Sequence, residues 1–283
     1  MKRDVNLFFL LIAASLVHCS SRALDASAAY LEILRSKDIY LSGHIPEAAF
    51  FSLDAALYPS RYERFAMYPP ELFEKYVQMV GINSGEHLIL YSRGAIGGMM
   101  FSSKAACSEK LSILNGGLDQ WIRQKNELST ENVQLPAGNW KASDHLSEYN
   151  IKFEEMEQKD GDKAYLEKTD EVNFLDARVR GQFNGVRGSK IAGFKNAPAI
   201  ELILENGQLK SADQIRQWLI ENGYNSKQPI VTLCNTGMQA AMLAHIIETA
   251  IPETSPRVYN GSMKEMELRD PKRITEGRTD LSH

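Results

Sequence analysis

The chain has 283 residues, of which 43% are hydrophobic and 24% charged, a composition typical of globular proteins and a length sufficient for two domains of common size. The formal net charge is −4, and no basic stripe offers itself to a phosphate backbone, which argues against nucleic-acid binding. The three cysteines, at positions 19, 107 and 234, are too few for a disulfide framework, so hydrophobic cores must hold the chain together.

The N-terminus combines a basic start with a short apolar run. Met-Lys-Arg is followed by apolar and small residues at 7–17, a run too short to span a bilayer. This order is typical of a secretory signal peptide, which we place at residues 1–23 with cleavage after residue 19 to 23. The alternative is that the run belongs to the opening helix of the first domain. The protein is secreted under the first interpretation and cytoplasmic or mitochondrial under the second, with no membrane association of the mature form.

An internal repeat indicates two copies of one fold. Four short motifs recur in the same order at offsets of roughly 140 to 150 residues, longer than the period of a solenoid. The matched segments are 24–27 with 175–178, 42–46 with 192–196, 87–91 with 229–233, and 114–117 with 259–262. The repeat predicts a first domain at residues 24–134 and a second at 150–283. The polar stretch between them, at 135–149, is interpreted as a linker.

The second copy alternates predicted strands and helices. Residues 229–233, Pro-Ile-Val-Thr-Leu, form a short β-branched run that predicts a strand buried on both faces. Residues 238–249 follow with apolar residues at helical spacing, and Ser211 with Gln214 predicts a capped helix start. This alternation predicts an α/β fold, with a mainly parallel sheet flanked by helices in each domain.

Cys234 lies where a predicted strand ends and a helix begins, the place where open α/β sheets bind ligands. Backbone N–H groups of such a loop can surround one atom and, with the positive end of the helix, stabilise a thiolate or persulfide anion. The sequence therefore predicts a sulfur nucleophile at Cys234. Its predicted cradle consists of Asn235, Thr236, Gly237, Met238 and Gln239. Cys107, in contrast, is interpreted as a small buried hydrophobic residue.

The second half resembles the catalytic domain of rhodanese and 3-mercaptopyruvate sulfurtransferase, and the resemblance extends over residues 24–278. The motifs that carry it are Asp-Ala-Arg at 176–178, Gly-x-Phe-x-Gly at 181–185, Pro-Ile-Val-Thr-Leu-Cys at 229–234, Val-Tyr-Asn-Gly-Ser at 258–262, and Gly-His-Ile-Pro at 43–46. The resemblance implies tandem rhodanese-like domains, with Ser92 in place of the cysteine in the non-catalytic first domain.

The resemblance also implies a double displacement that needs no cofactor. Cys234 takes sulfur from thiosulfate or 3-mercaptopyruvate as a persulfide. A thiol, cyanide or a thioredoxin-like protein then accepts it. Because the loop carries no Lys or Arg and has the Thr236 hydroxyl at its third position, it favours mercaptopyruvate as the donor.

Four residues are candidates for binding the donor by the same resemblance. Arg187 matches a donor-binding arginine across a shortened loop, and Gln182 stands where the family has a second arginine. Arg178 either holds the Asp-Ala-Arg turn, which we favour, or supplies the missing charge. His44 either pairs with the Thr236 hydroxyl or, as we favour, packs in its own turn.

Three further departures from the family are Phe194, in the second Gly-His-Ile-Pro turn, and Asn260 and Met263, in the closing Tyr-Asp-Gly-Ser-Trp motif. With Gln182 they support an alternative function, a catalytically weak binding or regulatory module that keeps the rhodanese fold. The sequence argues against a cysteine phosphatase, since Ala240 stands where such enzymes need an arginine. No Cys or His pair has the spacing of metal ligands, so no metal site is expected. His245 is interpreted as a helix residue and not as a catalyst.

Overall fold

The computed structural model describes residues 15–18, 28–94, 111–142, 146–185 and 188–275, with backbone alone for 15–18. Cys19, Cys107 and Arg187 lie outside these ranges.

The described strands are β1 (Ser15–His18), β2 (Ala28–Leu34), β3 (Ala49–Ser52), β4 (Leu57–Tyr58), β5 (Ala66–Met67), β6 (His87–Tyr91), β7 (Leu111–Asn115), β8 (Lys159–Asp160), β9 (Lys163–Ala164), β10 (Asn173–Asp176), β11 (Lys190–Ile191), β12 (Lys195–Asn196), β13 (Ile230–Leu233), β14 (Arg257–Val258) and β15 (Ile274–Thr275). The described helices are α1 (Lys37–Leu41), α2 (Leu53–Ala56), α3 (Pro70–Val80), α4 (Gly117–Arg123), α5 (Leu146–Tyr149), α6 (Phe153–Met156), α7 (Arg180–Asn184), α8 (Ala212–Glu221), α9 (Met238–Ala250) and α10 (Ser262–Arg269). Short 3-10 turns occur at Tyr165–Glu167, Ala199–Leu202 and Pro271–Arg273.

Each half of the chain has one parallel sheet. The first has the order β1-β7-β6-β2-β3 and the second the order β12-β10-β13-β14. Every residue of β7, β10 and β13 is buried, as expected for strands covered on both faces. One cluster of buried apolar residues includes members of both halves, Leu31 and Leu175 among them, so the two predicted domains share a hydrophobic interior. The predicted tandem α/β architecture is confirmed.

The local predictions for the second half are confirmed. The strand predicted at 229–233 is β13, and the helix predicted at 238–249 is α9. Ser211 caps α8: its side chain accepts the Gln214 N–H at 3.3 Å, while the Gln214 side chain accepts the Ser211 N–H at 3.0 Å. These elements could be predicted from the sequence because a buried parallel strand and a capping box are each specified by residues close together in the chain.

Strand pairing shows which residues of the two copies are equivalent. Tyr91 ends β6 opposite Glu32, and Leu233 ends β13 opposite Asp176. The predicted match of residues 87–91 with 229–233 is therefore confirmed. The counterpart of Asp176 is Glu32 and not residue 25, so the predicted match of the segment beginning at residue 24 was wrong. Residues 24–27 themselves lie outside the described ranges.

The same pairing corrects the interpretation of Phe194. Asn196 of β12 is equivalent to Phe50 of β3, so Phe194 corresponds to Ala48 and not to the histidine of Gly-His-Ile-Pro. The predicted match of 192–196 with that turn was wrong, because the segment of the second copy that is equivalent to the turn begins before residue 192. Phe194 is a core residue, stacked on Phe174 with ring centroids 4.5 Å apart.

The segment predicted as a signal peptide contains β1, which pairs with β7 at the edge of the first sheet. Residues 15–18 thus form a strand and not the helix that the alternative interpretation assumed. Cleavage between residues 19 and 23 would remove this strand from the sheet. Within the described ranges, no helix is long and apolar enough to cross a membrane.

The first part of the predicted linker packs tightly on the first half of the chain. The Gly138 N–H donates to the Gln78 carbonyl at 2.8 Å, and a Cβ at Gly138 would lie 1.9 Å from the Ile82 carbonyl oxygen. Trp140 is buried and meets Phe73 edge to face, with ring centroids 5.8 Å apart. This stretch therefore follows the surface of the first half, and the domain boundaries proposed from the repeat stay a prediction.

His245 of α9 gives the stability of the protein a specific pH dependence. Its side chain is buried, and Nε2 has no hydrogen-bond partner among the described residues. Burial lowers the pKa of His245 from 6.5 to about 4. The folded state then binds fewer protons than the unfolded state between these values. The resulting stabilisation is complete above pH 6.5 and is lost as the pH falls through about 4.

We expect this linkage to reach about 3 kcal/mol in the free energy of unfolding. Denaturant unfolding of the wild type and of His245→Gln, followed from pH 7.5 to 4, measures it as a difference between the two profiles. The wild type alone is not sufficient, because burial also raises the pKa of Glu248 to about 7. This shift makes the protein less stable as the pH rises, opposite to the effect of His245. Parallel profiles for the two proteins would contradict the prediction.

Candidate active site

Cys234 directly follows β13 and is 2% exposed. Its backbone is held on both sides by the start of α10. The Cys234 N–H donates to the Ser262 Oγ at 3.0 Å, and the Cys234 carbonyl accepts the Met263 N–H at 3.1 Å. These two bonds fix the position of the cysteine at the end of the sheet.

The sulfur atom lies at the N-terminus of α9. Gly237 adopts a left-handed conformation, with φ of 88°, and begins the helix three residues after the cysteine. Its N–H donates to the Cys234 Sγ at 3.1 Å. A backbone donor and the positive end of a helix both stabilise negative charge on sulfur. The geometry at Gly237 therefore agrees with the predicted cradle.

A second helix start completes the loop, and the sequence did not reveal its role. The first N–H groups of α10 have no partner inside their own helix. Those of Met263 and Lys264 donate to the carbonyls of Cys234 and Asn235, each at 3.1 Å. Ser262 is fully buried and also donates from Oγ to the Tyr259 carbonyl at 2.7 Å. The Val-Tyr-Asn-Gly-Ser motif contained this signal, but only the strand register brings it to Cys234.

Asn260 packs against the cradle from the other side. A Cβ at Gly237 would lie 2.2 Å from the Asn260 Oδ1 and 2.7 Å from the Asn260 carbonyl oxygen, so this position has room only for glycine. The Asn260 Nδ2 donates to the Glu63 Oε2 at 2.5 Å and to the Phe65 carbonyl at 3.1 Å. The cradle is thus supported by a contact with the first half of the chain.

Arg178 is buried and fully occupied by contacts within the second half. Its guanidinium forms a salt bridge with Asp176, with Nη2 to Oδ2 at 2.7 Å and Nε to both carboxylate oxygens at 3.0 Å. Nη2 also donates to the Ser189 carbonyl at 2.5 Å. These contacts agree with the interpretation that Arg178 holds the Asp-Ala-Arg turn.

His44 is buried in the first half of the chain. Its ring stacks on Tyr40 with centroids 3.9 Å apart, and Nδ1 lies 3.1 Å from the Tyr40 carbonyl oxygen. Burial is the largest cause of a lowered pKa at His44, and the Arg93 charge lowers the pKa further. The described contacts of the His44 ring all agree with packing in its own turn.

The remaining predicted donor residues are less constrained. Gln182 is exposed on α7, and Arg187 lies outside the described residues. In the loop itself, Asn235 is exposed, while Thr236 and Gln239 are half-buried. Met238 is buried and joins the hydrophobic cluster with Cys234. The donor-binding roles of these side chains stay predictions.

The equivalent loop of the first half keeps the backbone contact of its first residue but differs in its side chains. Ser92 occupies the position of Cys234, and its carbonyl accepts the Leu118 N–H at 3.0 Å. Arg93 follows and turns inward, where Nε donates to the buried Glu32 carboxylate at 2.8 Å. Burial nevertheless raises the pKa of Glu32 above its ordinary value. Ser92 and Arg93 thus contact the interior of the first half, while residues 95–110 lie outside the described ranges.

Comparisons with known proteins agree with this geometry. A model of the rhodanese-like domain matches residues 18–124. The Caenorhabditis elegans protein mpst-1, provisionally named a thiosulfate sulfurtransferase, is 52% identical over 267 residues, which cover 88% of this chain and 81% of that protein. The chain belongs to the rhodanese family of sulfurtransferases. The 3-mercaptopyruvate sulfurtransferase of Escherichia coli K12 is 30% identical over 246 residues, 81% of this enzyme and 82% of that one.

Solved structures of relatives span both halves of the enzyme. The SseA crystal structure from Escherichia coli, described as a 3-mercaptopyruvate sulfotransferase, superposes with a TM-score of 0.71 at 26% identity and covers 84% of this chain and 93% of that one. The Tum1 protein of Saccharomyces cerevisiae superposes with a TM-score of 0.76 at 19% identity, covering 93% and 98% of the two chains, and supports the fold.

Replacing Gly237 by alanine should disrupt the sulfur site because the new Cβ would meet the Asn260 Oδ1 at 2.2 Å. We expect a loss of about 2–4 kcal/mol in the free energy of unfolding, which is roughly the sum of the left-handed strain and the steric conflict. The rate at which Cys234 is alkylated should fall at least about tenfold.

Gly161→Ala is the matched control. Gly161 also has a positive φ, of 66°, but its Cβ would meet nothing within 4 Å. The control should lose only about 1 kcal/mol and keep the alkylation rate. Equal effects of the two substitutions would show that close approach to Asn260 is unimportant.

Proposed function

We propose that Cys234 carries sulfur as a persulfide from a small-molecule donor to a thiol acceptor. The observation that supports this most directly is the Gly237 N–H on the Cys234 Sγ, at the N-terminus of α9. A nucleophilic sulfur that must be anionic before and after each transfer is stabilised by such a donor in both states.

The transfer has two balanced steps. The Cys234 thiolate attacks the donor's terminal sulfur, and the bond from that sulfur to the rest of the donor breaks. Its electron pair leaves with sulfite from thiosulfate, or with the enolate of pyruvate from 3-mercaptopyruvate, which then takes up a proton. An acceptor thiolate next attacks the outer sulfur of the persulfide and releases the Cys234 thiolate. Cyanide can replace the thiolate as acceptor and leaves as thiocyanate.

The loop composition favours 3-mercaptopyruvate over thiosulfate. Thiosulfate is a compact dianion, whereas no Lys or Arg occurs between Cys234 and Gln239. Arg178 is engaged by Asp176 and is not available to an incoming anion. Mercaptopyruvate carries a single carboxylate, for which Arg187 is the candidate partner, and a carbonyl within reach of the Thr236 hydroxyl.

A small dithiol protein of the thioredoxin type is our proposed acceptor. Its first thiol takes the sulfur from Cys234, and its second thiol then releases that sulfur as hydrosulfide while a disulfide forms. The exposed Asn235 beside the cysteine leaves this side of the loop open to a macromolecular thiol.

Replacing Cys234 by serine should abolish sulfur transfer. Incubation with a donor, followed by mass spectrometry of the intact protein, should show the gain of one sulfur atom in the wild type and in Cys107→Ser, and none in Cys234→Ser. Turnover of Cys234→Ser should fall by at least about a thousandfold, since the covalent intermediate is lost. Wild-type protein that gains no sulfur from either donor would instead support the binding or regulatory module.

Two substitutions test the choice of donor. Gln182→Arg should raise kcat/KM for 3-mercaptopyruvate about tenfold, because one charge-assisted hydrogen bond contributes roughly 1.5–3 kcal/mol. Thr236→Lys should shift the ratio of kcat/KM values towards thiosulfate. Steady-state kinetics with both donors and one common acceptor measures both effects. A wild type that prefers thiosulfate would contradict the argument from the neutral loop.

A further inference from the structure

Two equivalent asparagines reach across between the halves of the enzyme in opposite directions. The register of β7 and β14 makes Asn115 the counterpart of Asn260. The Asn115 Oδ1, buried in the first half, accepts the Leu209 N–H of the second half at 2.9 Å. The Asn260 Nδ2 of the second half donates to the Glu63 carboxylate and the Phe65 carbonyl of the first. The repeat thus produces a reciprocal pair of interdomain contacts.

Of these two contacts, the one made by Asn260 reaches the sulfur site. The Asn260 Oδ1 lies against Gly237 so closely that no Cβ would fit there. The Gly237 N–H in turn donates to the Cys234 Sγ at 3.1 Å. A continuous series of contacts therefore runs from Glu63, in the first half, to the nucleophile in the second.

We propose that Glu63 is a positioning residue for the sulfur nucleophile. Both groups that face the Asn260 Nδ2 are acceptors, so they fix the orientation of the amide. The opposite end of that amide then supports Gly237 and keeps its N–H directed at the sulfur. This inference rests on the proposed function, since it assigns to Glu63 the placement of the persulfide carrier.

Glu63 is itself held in an ordered turn. Its N–H donates to the Ser60 Oγ at 3.0 Å, and its carbonyl accepts the Ser60 N–H at 2.8 Å. Beyond it, the Phe65 ring has the guanidinium groups of Arg35 and Arg64 at 5.5 and 5.3 Å from its centroid. The carboxylate is therefore presented to Asn260 by a fixed segment, as a positioning role requires.

The donor and acceptor of this contact can be exchanged without changing the total charge. Asn260→Asp alone would place a second carboxylate against Glu63, with no proton donor between them. Combining it with Glu63→Gln restores one donor and one acceptor, now in reverse order. The double variant thus separates the hydrogen bond from the identity of either residue.

The test measures alkylation of the Cys234 peptide by iodoacetamide against pH, in the full-length enzyme without a sulfur donor. Asn260→Asp should raise the pH midpoint by about one unit and slow alkylation at neutral pH about tenfold. The double variant should alkylate about threefold faster than Asn260→Asp, and it should stay below the wild type because the new carboxylate still faces the Phe65 carbonyl. Glu63→Gln alone keeps an acceptor and removes a negative charge, so its midpoint should shift slightly downwards.

Asn115→Ala is the matched control, since it breaks the reciprocal contact without touching the cradle. It should lower the melting temperature and leave the midpoint for Cys234 in place. The proposal is overturned if the double variant is no better than Asn260→Asp, or if Asn115→Ala shifts the midpoint as far as Asn260→Asp does. Because alkylation needs no donor, a wild type that alkylates normally but transfers no sulfur would overturn the proposed function alone.

Discussion

The sulfur site depends on the close approach of the Gly237 backbone to the Asn260 side chain. That approach is possible because Gly237 has no Cβ and adopts a positive φ, which starts α9 within three residues of Cys234. The start of α10 then meets the same loop from the other side through Ser262. The cradle is therefore a product of two helix starts held together, and its geometry cannot be assigned to the cysteine loop alone.

The two halves use the same frame but satisfy its buried carboxylate in different ways. Glu32 and Asp176 are equivalent, and both are paired with an arginine. In the first half that arginine is Arg93, which directly follows Ser92. In the second half Arg178 serves the carboxylate from its own turn. A buried carboxylate without a partner would be costly, and in the second half Asp176 obtains its partner without any side chain from the Cys234 loop.

The sequence predicted those parts of the enzyme that neighbouring residues specify. Strand β13, helix α9 and the capped start of α8 follow from periodicity and capping, which act over a few residues. The repeat was placed correctly at β6 and β13, but wrongly around residue 25 and Phe194, because the loops between equivalent strands differ in length. Ser262 and Glu63 could not be assigned from sequence, since only the sheet register and the contact between the halves bring them to the site.

The contacts of the structure explain most of the departures from the family pattern. Phe194 does not stand at the histidine position at all, and Met263 is fully buried in the second core, where an apolar side chain is what the site needs. Asn260 faces the Glu63 carboxylate, so an amide is the group that can donate there. Three of the four departures are thus accommodated by the structure without loss of the cradle. Gln182, exposed on α7, is the departure to which we assign a role in donor binding, and this proposal favours an enzyme with altered donor binding over a module that has lost its chemistry.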